Sequence, residues 1–167
     1  MRVAMTYLRL PEAEGGGDPG ARARSVFGSG DWRQKHPALP VAGAWQALHY
    51  LLTGDPWDGP HPAADVVCGG RLLTEDGAEE LGVDVIYLTA ERVKLAADHL
   101  AATAFGQISG RYDAARMAEL GVQGAEDWVD EPAEAIRDGE LRVMYERLTK
   151  FFEAASAEGQ AIYKAMG

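Results

Sequence analysis

The stretch Val41-Ala42-Gly43-Ala44-Trp45-Gln46-Ala47-Leu48-His49-Tyr50-Leu51-Leu52-Thr53-Gly54 carries the clearest structural signal in the chain. Val41, Ala44, Trp45, Leu48, Leu51 and Leu52 recur at the spacing that gathers side chains on one face of an α-helix. Pro40 suits a first helical turn, and Gly54 suits a left-handed cap at the far end. A helix with one broad apolar stripe needs a partner surface, and the flanking segments predict a sheet.

Val3, Met5 and Tyr7 alternate with Arg2, Ala4 and Thr6, the period of two of a strand with one buried face, and Pro11 ends it. Residues 12–40 are rich in Gly, Pro and charge, with little periodicity; they read as an irregular, loop-rich segment with room for one short helix. Beyond the proline-rich loop from Pro56 to Pro62, Val66-Val67-Cys68 and Val83-Asp84-Val85-Ile86-Tyr87-Leu88 read as strands. Thr89 is the predicted N-cap of a helix burying Val93, Ala96, Ala97 and Leu100, and Asp113 that of a short helix ending at Gly121. Asp130, before Glu131-Pro132, opens a long final helix. Its stripe is Leu141, Met144, Tyr145, Leu148, Phe151, Phe152 and Ala155, with Gly139 interrupting the first turns and Gly159 closing it. Residues 160–167 fit either a helix end or an edge strand.

Strands separated by irregular segments, with no repeat and no clean linker, oppose a doubly wound parallel sheet. The expectation is one α+β domain over residues 1–167. It has a small mixed or antiparallel sheet, several helices packed on it, and a long C-terminal amphipathic helix.

Sixteen Lys and Arg stand against 26 Asp and Glu, a net charge of -10 in 167 residues. A field of that sign repels phosphate backbones, so nucleic acid is not an expected partner. The acids are uneven, with Glu126, Asp127, Asp130, Glu131, Glu134, Asp138 and Glu140 crowded into one stretch. Cys68 is the only cysteine, so no internal disulfide forms. With no apolar run of signal-peptide or membrane-spanning length, the expected setting is the cytoplasm, without a membrane.

Beyond these physical signals, an ordered set of segments resembles the YfbM-like family of bacterial domains of unknown function. Ala44-Trp45-Gln46-Ala47-Leu48-His49-Tyr50-Leu51-Leu52-Thr53-Gly54 looks like its signature helix. Gly69-Gly70, Tyr87-Leu88-Thr89-Ala90-Glu91-Arg92-Val93, Arg111-Tyr112-Asp113 with Met117 and Trp128, and a last aromatic helix closing at Gly159 follow in order. The departures are Gly82-Val83-Asp84-Val85-Ile86, where the family tends to have a glycine- and proline-containing turn, and Gln123-Gly124, where it has Tyr-Pro before the tryptophan. A pocket formed there is altered accordingly. The resemblance implies a fold and brings no catalytic residues.

Candidate chemistry is sparse. Gly15, Gly17 and Gly20 satisfy G-x-G-x-x-G. However, Pro19 removes a donor where amides should face phosphate and no βαβ unit follows, so the stretch reads as a loop without a nucleotide. His36, His61 and His99 show no metal-ligand spacing, and neither a metal nor another cofactor is expected. Cys68, in an apolar setting, reads as a small buried hydrophobe.

His49 lies on the flank of the stripe, one turn from Trp45, where a hydrogen-bonded packing histidine and a general base are both compatible with its position. Two functions follow. In the first, a non-enzymatic domain binds a basic protein partner or a small ligand through the acidic face around Glu126, Asp127 and Trp128. An immunity-type protein that covers a basic toxin is a special case. In the second, a small hydrolase or transferase uses His49 with Tyr112 or Asp113.

Overall fold

The computed structural model describes residues 3–12, 18–74 and 81–167. Gly15 and Gly17 of the glycine-rich stretch lie outside the described residues. The described strands are β1 (Met5–Pro11), β2 (Ala38–Val41), β3 (Arg71–Leu72), β4 (Asp84–Leu88) and β5 (Gln160–Met166), in one sheet ordered β2-β1-β5-β4-β3. All four pairings are antiparallel. The α+β reading therefore holds, and the sheet takes its antiparallel form.

Residues 160–166 are not an edge. β5 lies between β1 and β4, in a register that runs from Met5 opposite Met166 to Pro11 opposite Gln160. The first and last described strands are thus the paired centre of the sheet. Their sequences hide this because both faces are covered. Met5, Tyr7, Leu88 and Ile162 point into one core, while Leu8, Leu10, Val85, Ala161, Tyr163 and Ala165 point into another. A strand buried on two sides loses the clean alternation of apolar and polar residues.

The second face is covered by the segment expected to be irregular. Among its described residues lie two helices, α1 (Pro19–Phe27) and α2 (Trp32–Lys35), and then β2. Asp18 caps α1 by accepting from the Gly20 amide at 3.0 Å, and Pro19 stands in the first turn. Phe27 and Trp32 meet edge to face at 4.8 Å above Tyr163 and Leu8. Pro40 and Val41 belong to β2 and not to the helix after them. As an edge strand, β2 tolerates a proline that lacks a donor.

The main core lies on the other face. It contains α3 (Trp45–Thr53), α4 (Ala90–Ala102) and, after the short helices α5 (Phe105–Ile108), α6 (Ala114–Glu119) and α7 (Ala125–Trp128), the long α8 (Arg142–Ala157). Gly54 closes α3 with φ +81° and its amide on the Tyr50 carbonyl. Thr89 and Asp113 cap α4 and α6 through their side chains. The turns around Gly139 are a π-helical segment, Glu134–Leu141, leading into α8. Val66-Val67-Cys68 is not a strand: Ala63–Val66 is a single 3-10 turn, and the following residues pass under the sheet as a loop. Its apolar side chains are buried, so composition alone could not separate it from a strand.

Candidate functional site

Two side chains, His49 and Lys164, secure the loop that follows α3. His49 is fully buried; its Nδ1 accepts from the Cys68 amide at 3.3 Å, and its Nε2 donates to the Asp58 carbonyl at 3.0 Å. Because a carbonyl can only accept, the proton sits on Nε2 and the ring is neutral. Burial, opposed by the Asp58 carbonyl, holds its pKa below the ordinary histidine value.

Lys164, in the middle of β5, faces the main core and is likewise fully buried. Its Nζ donates to the carbonyls of Asp65, Val67 and Gly69 at 2.6, 2.7 and 2.8 Å. An ammonium has three donors, and here each has an acceptor; burial still pulls its pKa down to about 7. Burial also pushes the nearby Cys68 thiol up to about 12, which disfavours the thiolate at neutral pH.

Among the described residues, no hydrogen bond joins His49 to Tyr112 or Asp113. Both His49 nitrogens are committed to backbone groups. Asp113 accepts from the Arg116 amide at 3.1 Å as a helix cap, and the buried Tyr112 hydroxyl has no hydrogen-bond partner among the described residues. Among the described residues, no group of three or more His, Cys, Asp or Glu could hold a metal ion. One polar cluster escaped the sequence reading. The buried Asp65 carboxylate accepts from Arg92 Nε at 2.9 Å and faces His61 Nδ1 at 2.8 Å, with His61 itself exposed. The Arg92–Asp65 contact holds the loop to α4.

A cleft of about 530 Å³ lies elsewhere, lined by Trp45, Gln46, Trp57, Gln123, Gly124 and Glu126 among others. One side is the turn after α3. There Asp55 Oδ1 accepts from the amides of Trp57 at 2.9 Å and Asp58 at 2.8 Å, while the Asp55 amide donates to Thr53 Oγ1 at 3.1 Å. The turn is thereby fixed, yet it leaves Trp57 56% exposed, the most exposed large apolar residue among those described.

Another side is the loop into α7. The Gln123 side chain bonds both backbone groups of Val3 at 2.9 Å and the Gly43 carbonyl at 3.1 Å, and its amide donates to Gln46 Oε1 at 2.8 Å. The Trp45 indole N–H is held by the Val3 carbonyl at 2.8 Å. Gly124 has φ +85°, and a Cβ there would stand 3.2 Å from the Trp128 ring. Gln123-Gly124, a departure noted in the sequence, thus builds the cleft's floor.

Of the residues expected to form a partner surface, Glu126 and Asp127 are exposed, and Glu126 lines the cleft. Trp128 is only 7% exposed and belongs to the core, so it is withdrawn from that surface. Trp57 was missed. Its signal was a large indole inside Asp55-Pro56-Trp57-Asp58-Gly59, a run of turn formers where an apolar ring has no local reason to be. A second groove, of about 720 Å³, contains Phe105, Arg142 and Tyr145. There Arg142 covers Phe105, whose ring also packs on Tyr145 at 5.5 Å, so its aromatic surface already has partners.

A family described as a domain of unknown function, DUF1877, matches residues 29–163. The chain belongs to that family. DUF1877 residues thus include α3, Trp57, Glu126 and the Lys164-bound loop, whereas β1 and α1 precede the match. Among solved structures, the chain is similar to one titled as a protein of unknown function, YfbM, from Escherichia coli. The two are 15% identical over 98% of this chain and 99% of that one, with a TM-score of 0.68. That likeness fixes the fold and agrees with the resemblance read from the sequence. No curated protein matches the chain. No helix among the described residues is long and apolar enough to cross a membrane.

Proposed function

We propose that this domain is a non-enzymatic binding module that holds a basic protein partner against the acidic surface bordering the Trp57 cleft. One observation carries the reading: an indole more than half exposed, on a turn fixed by three side-chain hydrogen bonds, in a cleft whose only charged lining residue among the described residues is Glu126. A preorganised aromatic anchor is the type of residue that dominates interface energetics, since little side-chain freedom is lost on contact. Exposed Glu126, Asp127, Asp130, Glu131 and Glu134 extend the acidic character beyond the cleft and would speed encounter with a basic surface. An immunity-type role, covering a basic toxin, is one case of such binding. The hydrolase or transferase reading would need His49 to exchange protons, and both of its nitrogens are already in use.

The test is capture from native lysate on the immobilised domain, beside a Glu126→Lys/Asp127→Lys double variant of equal thermal stability. A basic partner retained by the wild type, released as salt rises and absent from the variant supports the proposal. A partner held equally by both, or unmoved by molar salt, contradicts it.

A further inference from the structure

We infer that the group received by the cleft is an organic cation, an alkylammonium or guanidinium, stacked on the Trp57 indole with the Glu126 carboxylate as its counter-charge; this rests on the binding reading above. Every side-chain polar group of Gln46 and Gln123 in the cleft is engaged with the protein's own backbone, as is the Trp45 indole N–H. They shape the cleft but have little left to offer a ligand. The Glu126 carboxylate makes no hydrogen bond or ion pair among the described residues, and the Trp57 ring meets Trp45 only at a tilt of 54° and remains largely open.

An open indole face with a carboxylate in the same small cleft favours positive charge. The negative face of the ring attracts a cation, and Trp is the best of the aromatic residues at this. The surroundings agree, because the chain carries a net charge of -10 and the turn holding Trp57 contains Asp55 and Asp58. A phosphate or carboxylate ligand would find no cation lining the cleft among the described residues. The same chemistry is found in a lysine or arginine side chain of a partner protein and in a free small amine.

The experiment is a set of titrations of the full chain, followed by ¹H–¹⁵N correlation spectra at the Trp57 indole and the Glu126 amide. The probes are the peptide Gly-Arg-Gly, its neutral counterpart Gly-citrulline-Gly, free agmatine, and cellobiose as an uncharged stacking ligand. The expected result is saturable shifts with the two cations, at least tenfold tighter than with citrulline. Glu126→Gln, which disturbs no packing, should remove most of that preference, and Trp57→Ala should remove binding while the melting temperature stays near wild type.

Agmatine binding as tightly as the peptide identifies a free amine as the source; a clear advantage for the peptide identifies a partner's side chain. Citrulline matching arginine, or cellobiose binding in its place, overturns the cation assignment and leaves the binding reading intact. If no probe moves either signal the cation assignment is also lost, and whether a captured partner moves them then decides the binding reading separately.

Discussion

The indole of Trp57 lies tilted across that of Trp45, ring centroids 5.8 Å apart, yet one is 56% exposed and the other 2%. A shared contact between residues of such different burial separates their energetic roles. Trp45→Ala removes a core ring and the hydrogen bond to Val3, and should cost about 3–5 kcal/mol. Trp57→Ala removes surface that water already covers, and should change stability by no more than about 0.5 kcal/mol while abolishing partner capture. Urea denaturation of both variants checks this. A Trp57→Ala midpoint as low as that of Trp45→Ala would make Trp57 a packing residue.

The two hydrogen bonds of His49 make the fold sensitive to acid. Its folded pKa lies below the unfolded value of about 6.5, so the unfolded chain takes up the proton first as pH falls. The stability it contributes is therefore complete above about pH 6.5 and is lost as pH drops through the folded pKa. His49→Ala should cost about 1–3 kcal/mol at pH 7.5, because it leaves the Cys68 amide and Asp58 carbonyl without partners. His49→Gln should lose less stability than wild type between pH 7 and 5.5. An identical pH profile in wild type and His49→Gln would remove His49 from this role.

Lys164 gives a prediction in the opposite sense to a common expectation. Replacing a buried charge with an apolar side chain is often neutral or stabilising when the charge's partner goes too. Here the partners are the backbone carbonyls of Asp65, Val67 and Gly69, which stay behind. Lys164→Met should therefore destabilise by about 2 kcal/mol or more through unsatisfied acceptors. A raised denaturation midpoint would show that those carbonyls find water or relax.

Legibility followed local chemistry. α3, β4 and the caps at Gly54, Thr89 and Asp113 could be read because one residue or one stripe decides each of them. β5 was ambiguous because Gln160-Ala161-Ile162-Tyr163-Lys164 is buried on both faces and includes a lysine, whose three acceptors come from a loop nearly a hundred residues earlier. α1 and α2 were obscured for a similar reason. Their Gly, Pro and Arg content suits a loop, and only the apolar second face of the sheet gives Phe27 and Trp32 a place to pack. The cleft was out of reach, since Trp57 and Glu126 are brought together only by the folded chain, although the acidic residues were visible as a run.

The claim that the Trp57 cleft is the binding surface is tested most directly by hydroxyl-radical footprinting of the domain, free and in complex with its captured partner. Tryptophan reacts readily, and Trp57 is exposed while Trp32, Trp45 and Trp128 are buried, so tryptophan oxidation in the free protein should fall mainly on Trp57. In the complex, Trp57 should be strongly protected, with Leu95 and Val143, exposed on helices away from the cleft lining, labelled as before. Unchanged oxidation of Trp57 in a complex that protects other surface would contradict the account.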